Sequence, residues 1–497
     1  MLGVTTYITT DLAAVPLLWA VPLALYLLTF VLAFASPPLV PRSPLVAVLP
    51  LLLSALILLF VLQVLQPLWL LLPLHLLGFA MTALVIHGEL AKSRPHPAYL
   101  TEFYFWIALG GVLGGLLNAI AAPILFPKLL EYPLVLLLSL LLFQSKRFSG
   151  TVWGSLQLRW TLPLGIGLLL GGLLIGISGE AWVQNLPGLA IALLLTTLLY
   201  RTLQLHPALL IVGWLLMVLL SQFSAGTGTG LLASDRSFFG VYRVFSSARD
   251  GGYHSLLHGT TLHGKQSLDP ARRQEPLTYF TRSGPVGQLF SSLGGDRLQR
   301  VSVLGLGVGT LAAYAEAGQE WTFYEIDPLA EELATDPLYF TYLQESAAAV
   351  QIVIGDGRLA IAQTPNENYD LLFMDAFSSD SIPIHLITQE AIQLYFTKLQ
   401  PQGILAINIT NRFLDLEPVL GAIAQSLDLA TLTQWETEVS DLERSQGKAP
   451  SHWVLLAHTP EAFGALTDNP RWQPATTNPS IQPWTDDFSN ILQAIAP

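Results

Sequence analysis

Apolar runs long enough to cross the ~20-residue thickness of a bilayer core as helices crowd the first 222 positions of this 497-residue chain. About eight candidate spans lie near 14–35, 45–66, 68–88, 105–126, 129–143, 161–178, 182–200 and 207–222, the fifth being short and carrying Glu131. Charge divides at the same place. Residues 1–222 hold 8 Lys and Arg against 5 Asp and Glu, net +3, and the remainder hold 15 against 30, net −15, which together give the −12 of the whole chain. Two physical regimes therefore share one chain, and averages such as 52% hydrophobic describe neither.

No signal peptide is expected, because Met1 is followed by no basic segment and the first apolar run is too long for one. In the fourth span Gly110, Gly111, Gly114 and Gly115 form overlapping pairs of small residues four apart, which read as a packing face. The stretch from His87 to Lys92 and on through Thr101–Tyr104 puts several charges between two spans and reads as a lipid-surface loop.

After the last span, 223–235 reads as a linker opened by the Gly/Thr-rich segment Ser224–Gly230. Short β-type runs at Phe238–Phe245, Tyr253–Leu257 and Leu277–Phe280 then predict a small antiparallel subdomain over 236–290. From 291 to the end the expectation is a Rossmann-type domain. Its strands are predicted at 301–304, 321–325, 350–354, 369–374, 403–409, 430–436 and 452–457, with helices near 309–318, 328–335, 387–399 and 414–426. The fold class is thus a membrane helical bundle, a small β subdomain and a class I methyltransferase-like α/β domain.

The acidic soluble half argues against a nucleic-acid partner, whose phosphates it would repel. With no cysteine, disulfides, thiolate zinc sites and cysteine nucleophiles are excluded. His254, His258 and His263 lie close together, but no carboxylate stands at helical spacing beside them, so no metal is expected.

The chemistry concentrates at the ends of four successive strands. The first runs into Gly305-Leu306-Gly307-Val308-Gly309, where glycines let the backbone turn tightly and approach a ligand. Position 310 is Thr, so the third glycine of a dinucleotide fingerprint is missing, and the spacing resembles an adenosylmethionine-binding loop instead. The second strand ends in Glu325, placed to accept ribose hydroxyls, with Asp327 as the cap of the next helix. The third ends at Asp356-Gly357, where the acid faces the adenine amino group, and the fourth at Asp375, followed by Asp380. Acids at strand tips face the crevice of an open α/β sheet.

In these motifs, residues 301–409 resemble the spermidine synthase family of aminopropyltransferases. The whole chain resembles the bacterial fused membrane/spermidine synthase-like group, through strings such as Leu100–Tyr104, Arg236–Val241, His258–Gly264, Ser283–Gly287 and Trp484–Phe488. The resemblance implies decarboxylated S-adenosylmethionine, or S-adenosylmethionine itself, as co-substrate. It implies Gly305, Leu306, Gly307, Gly309, Glu325, Asp356 and Gly357 as its binding residues and Asp375 as the catalytic acid that takes a proton from an amine such as putrescine. Tyr279, Gln266 and Asp380 are the candidate amine-site residues. Here the chain departs from the family: the second acid stands five residues after Asp375 instead of three, the upstream Asp-Gly-x-x-Gln has become His258-Gly259-Thr260-Thr261-Leu262, and a Tyr-His pair has become Tyr279-Phe280. Asp486 and Asp487 are expected either to approach the amine site or to end the fold.

Aminopropyl transfer is the first expectation, methyl transfer the second, and a transporter or sensor binding an adenosyl ligand without turnover the third. The partners expected are a small amine or polyamine and the lipid bilayer, with a homodimer as the candidate assembly. Orientation meets two opposed arguments. Arg42, Lys92, Arg94, Lys146, Arg147, Arg159 and Arg201 fall in alternate loops and Lys128 alone in the others, which with eight spans puts the C-terminal domain outside. The co-substrate is made from ATP in the cytosol, and one span more or fewer reverses the count. The expectation is therefore a multi-pass membrane protein with a cytoplasmic catalytic domain.

Overall fold

The computed structural model describes residues 1–143 apart from 14, 16, 36–41, 62–63 and 66, then 212, 215, 216 and 218, and then 230–495 apart from 248–251, 260, 378–382 and 412. The chain divides into two compact units, Met1–Ala225 and Gly226–Pro497. The spans expected at 161–178 and 182–200, nearly all of 207–222, the Gly/Thr-rich segment up to 229, and Asp380 lie outside the described residues.

The described part of the first unit is helical. Helices cover Ala20–Phe34, Arg42–Val61, Leu68–Lys92, Leu100–Leu116 with a continuation to Leu125, and Glu131–Phe143. Two of these, Leu68–Lys92 and Pro97–Leu125, are long and apolar enough to cross a membrane; Ala20–Phe34, Val48–Val61 and Glu131–Leu140 are apolar but shorter. The loop expected from His87 is instead the last turns of Leu68–Lys92. His87 is buried there, its ring stacked on Phe30 at 3.7 Å and its Nδ1 3.0 Å from the Thr29 hydroxyl. The packing face expected at Gly110, Gly111, Gly114 and Gly115 has no neighbour within 4 Å among the described residues.

The second unit holds two sheets. Strands β1 (Gly230–Arg236), β2 (Val241–Ser247), β3 (Tyr253–His258) and β4 (Thr261–Ser267) form an antiparallel meander in that order. β1 occupies positions read as linker, because Gly230–Arg236 pairs along Val241–Ser246. Leu277–Phe280 is not a strand: Thr278 alone makes a bridge, to Lys448, and Pro285–Leu293 is a helix opened by its proline.

The larger sheet comprises β5 (Arg300–Leu304), β6 (Glu320–Glu325), β7 (Ala349–Ile354), β8 (Tyr369–Met374), β9 (Leu399–Asn408), β10 (Ala430–Glu436) and β11 (Ser451–Ala457). Their order is β10-β11-β9-β8-β5-β6-β7. β5 to β9 run parallel and β11 lies antiparallel to both neighbours. Its central strands are buried on both faces, which is why Leu371–Met374 reads as a continuous apolar run and Val301–Leu304 is interrupted only by the small Ser302. Helices Pro328–Thr335, Gln389–Lys398 and Glu417–Ser426 lie where the sequence puts them. The helix expected over 309–318 is only a 3-10 segment, Thr310–Tyr314. Phe280, Leu289, Phe323, Phe373 and Trp453 fill one face of the sheet, and Leu372, Leu405, Ile392, Tyr395 and Leu420 the other. A third cluster, with Tyr242, Leu256, Val308, Leu333 and Phe340, joins the small sheet to the glycine loop and the helix after β6.

Candidate active site

β5 lies between β8 and β6, where the strand order reverses and ligands of open α/β sheets bind. The loop leaving it is left-handed at three glycines, with φ of +99° at Gly305, +56° at Gly307 and +76° at Gly309. A Cβ on Gly305 would stand 2.3 Å from the Asp375 carbonyl oxygen, and one on Gly307 2.7 Å from that of His263. The loop is therefore wedged between the end of β8 and the β3–β4 hairpin. Gly309 packs beneath Leu343 and does not line the cavity, whereas Gly305, Leu306 and Gly307 do.

That cavity, of ≈ 190 Å³, brings Glu325, Asp356, Gly357 and Asp375 together under His258 and His263. Glu325 is held by its own neighbours: Oε2 accepts from the Leu306 N–H at 3.0 Å and Oε1 from that of Asp327 at 2.9 Å. Burial raises its pKa, and these bonds oppose the rise. An oxygen with one such donor keeps acceptor capacity for another, and Glu325 lines the cavity. Asp327 caps the next helix, accepting from the Leu329 N–H at 3.0 Å. Asp356 caps Gly357–Ala362 with Oδ1, at 2.9 Å from the Leu359 nitrogen, and presents Oδ2 to His385 Nε2 at 3.1 Å.

Asp375 is the most perturbed acid of the cavity. Burial pushes its carboxyl up to about 7, against hydrogen bonds from Asn408 and the Tyr279 hydroxyl that favour the charged form. Asn408 Nδ2 donates to Oδ1 at 2.7 Å. The Tyr279 phenol is raised by burial and then by the Asp375 charge, so it stays protonated and donates. A carboxyl poised near neutral pH, held by two neutral donors, is suited to take a proton and give it up again.

Gln266 is not at the cavity. Its amide is satisfied by Thr341 and Arg273, at 2.8 Å from the Thr341 nitrogen and 3.1 Å from the Arg273 carbonyl, and it ties β4 to the loop before β7. Asp486 ends the fold: it accepts two bonds of 2.7 Å from Arg358 and one of 2.7 Å from Thr388. The three histidines take different partners. His254 Nδ1 donates to the Tyr339 carbonyl at 2.8 Å, while His258 stacks on Tyr242 at 4.4 Å and donates to the Phe239 carbonyl at 3.1 Å. His263 lines the cavity with a buried Nε2 that has no hydrogen-bond partner among the described residues, and burial followed by the nearby His258 lowers its pKa to about 3. The loop cradle and this orphan nitrogen are what a bound nucleoside with a polar tail would use.

No family model matches the chain. It is 29% identical over 203 residues to a polyamine aminopropyltransferase of Vibrio vulnificus, covering 39% of this chain and 64% of that protein. It is 29% identical over 203 residues to an N-terminal histidine N-methyltransferase of Emericella nidulans, covering 38% and 35%. The chain spans less than two thirds of the length of either relative. Both are transferases, and homology to a polyamine aminopropyltransferase extends over part of this chain. A probable spermidine synthase from Corynebacterium glutamicum superposes with a TM-score of 0.38 at 15% identity, covering 52% of this chain and 97% of that one. A spermidine synthase in complex with the transition state analogue AdoDATO gives 0.35 at 14% identity, covering 52% and 82%.

Asn408, His263 and His385 were not singled out as site residues from the sequence. Nothing local marks the end of β9 as facing Asp375, 33 residues earlier. The histidines carried a signal, being polar residues close to the substituted family motif or to the loop after β8, but it pointed to no role.

Proposed function

We propose that the second unit is an adenosyl-dependent transferase that moves an aminopropyl group from decarboxylated S-adenosylmethionine to a small amine such as putrescine, and that the first unit spans a bilayer. The observation that carries the reading is the Asp375 carboxyl, held by Asn408 at 2.7 Å and lining one cavity with the glycine loop, Glu325 and Asp356; burial raises it to about 7. The cavity's described lining holds no Lys or Arg to meet a methionine carboxylate, which favours the decarboxylated tail.

When bound, the co-substrate supplies a carbon made electrophilic by its sulfonium, which the amine nitrogen attacks as the carbon–sulfur bond breaks and methylthioadenosine leaves. The chain's own residues do the rest. The Gly305–Gly307 backbone and Glu325 would hold the nucleoside, Glu325 through the acceptor capacity its two backbone donors leave. Asp356 and His385 would face the base. An acceptor amine has a pKa resembling the ~10.4 of lysine and is cationic at neutral pH. Asp375 accepts the proton it loses, a transfer that a carboxyl near 7 makes easier than one at 3.8. Tyr279 keeps that carboxylate directed.

Two helices long and apolar enough to cross a membrane support insertion of the first unit. The second unit is assigned to the cytosol, where the co-substrate is made. Methyl transfer is the second reading, favoured by the N-methyltransferase among the relatives. The test is incubation of the purified full-length protein with each co-substrate and a panel of polyamines, read by mass spectrometry. Methylthioadenosine means aminopropyl transfer and adenosylhomocysteine means methyl transfer. Binding with neither product overturns both.

A further inference from the structure

We propose that Asn408 and Thr410, where β9 ends, are a positioning pair that fixes the direction and favours the ionised form of the Asp375 carboxylate; this rests on the transferase reading above. An amide beside a carboxylate can present its NH2 group or its oxygen, and only the first stabilises charge. At Asn408 the choice is made by Thr410. Asn408 is 2% exposed, and its Oδ1 accepts from both the Thr410 N–H at 3.0 Å and the Thr410 hydroxyl at 2.6 Å. With the oxygen so occupied, Nδ2 points to Asp375 Oδ1 at 2.7 Å.

The direction is imposed from further back. Thr410 Oγ1 accepts from the His452 N–H at 2.9 Å, so its own hydrogen is left for Asn408. The next rung of the same ladder, the Ile409 N–H on the His452 carbonyl at 2.9 Å, fixes this register between β9 and β11. A chain of donors thus runs from the β11 backbone through Thr410 and Asn408 into Asp375, each link with one polarity. Tyr279 donates to the same carboxylate. A lysine or arginine in place of Asn408 would hold the carboxylate as a spectator charge. A neutral amide supports ionisation while leaving proton uptake accessible, which a proton acceptor requires.

The test uses the full-length protein and the variants Asn408→Ala, Thr410→Val and Thr410→Ser. It reads the pH profile of kcat/KM together with co-substrate affinity by calorimetry. Loss of one charge-assisted hydrogen bond in Asn408→Ala is expected to move the acid limb upward by roughly one pH unit. Transfer at pH 7 should fall several-fold and recover largely by pH 9, with co-substrate affinity changed less than about threefold. Thr410→Val, which keeps the shape, should shift the limb the same way by less and covers the case in which Asn408→Ala does not fold; Thr410→Ser should restore it. Lower activity with an unmoved limb in both variants overturns the proposal, since packing loss alone does not change a titration. If the wild type transfers to no amine, the transferase reading has failed and the pair is read from melting instead. The pH at which stability responds to Asp375 should still rise in Asn408→Ala, and an unmoved midpoint overturns the pair independently.

Discussion

Replacing Asp375 with Asn is expected to strengthen the fold above pH 7 while removing transfer, and the size of both effects follows from one titration. Burial raises this carboxyl from 3.8 to about 7, so the folded protein holds its proton over a range in which the unfolded chain has lost it. The sign is that of a raised acid: the contribution is fully present below pH 3.8 and is lost as pH rises toward 7. A shift of that size corresponds to roughly 4 kcal/mol carried by the wild type at pH 8 as the cost of a desolvated charge. Asn carries no charge and offers one acceptor oxygen in place of two to Asn408 and Tyr279, which returns about 1 kcal/mol. A net gain of about 3 kcal/mol raises an apparent melting temperature by roughly 6 °C or more in a domain of this size. The assay is thermal melting of wild type and Asp375→Asn in detergent at pH 4, 6 and 8, paired with product formation at pH 8. The melting curves should coincide at pH 4 and separate progressively, with the variant higher, while transfer falls about 10²-fold or more. A variant that tracks the wild type at every pH, or melts lower at pH 8, refutes the claim that this carboxylate is ionised against its surroundings.

Three further outcomes are expected. Glu325→Gln keeps the shape but replaces one acceptor oxygen by a donor opposite the Leu306 or Asp327 N–H; adenosyl-ligand affinity measured by calorimetry should weaken about tenfold or more. Gly305→Ala puts a methyl group 2.3 Å from the Asp375 carbonyl at a φ of +99°, so both ligand binding and melting temperature should fall, at a cost of about 1–3 kcal/mol in strain alone. Glu417 lies 2.8 Å from His452 inside the protein, and although burial alone would raise it, hydrogen bonds from His452 and Thr476 bring its carboxyl to about 2. Glu417→Gln should therefore destabilise by roughly 3 kcal/mol at pH 7, and the wild type should lose this contribution only as pH falls toward 2, visible as convergence of the two acid-unfolding curves.

The convergence of the glycine loop and three acidic strand tips on one cavity was legible because its signals are local. Gly305, Gly307, Glu325 and Asp375 each sit where an apolar run stops, and a strand tip in a parallel sheet has one place to point. Register was less legible: β9 begins at Leu399, ahead of Pro401 and Gly403, because Leu399 already pairs with Tyr369 across a bulge. The expected helix after Gly309 shrinks to Thr310–Tyr314, since Ala315 turns extended and Gly318 takes a positive φ. Gln266 was misassigned because a buried amide satisfied by Thr341 and Arg273 looks, in one dimension, like one awaiting a ligand. Of the two donors on Asp375, Tyr279 was named as a candidate amine-site residue through the family resemblance and Asn408 was not, and the bond that either makes to Asp375 was illegible for a different reason. Tyr279 comes from the segment before the large sheet and Asn408 from the strand after β8, and only tertiary pairing makes them neighbours.

The two-sheet construction has a consequence for how such a chain can change. The glycine loop, Glu325, Asp356 and Asp375 belong to the parallel strands, whereas Tyr242, His258 and His263, which line the same cavity, hang from a four-stranded meander. On the proposed transferase reading, substitutions in that ceiling would alter which tails are tolerated without disturbing the floor, so that reactions on different groups of one sulfonium nucleoside would diverge by exchanging a few roof residues while the sheet beneath stays as it was.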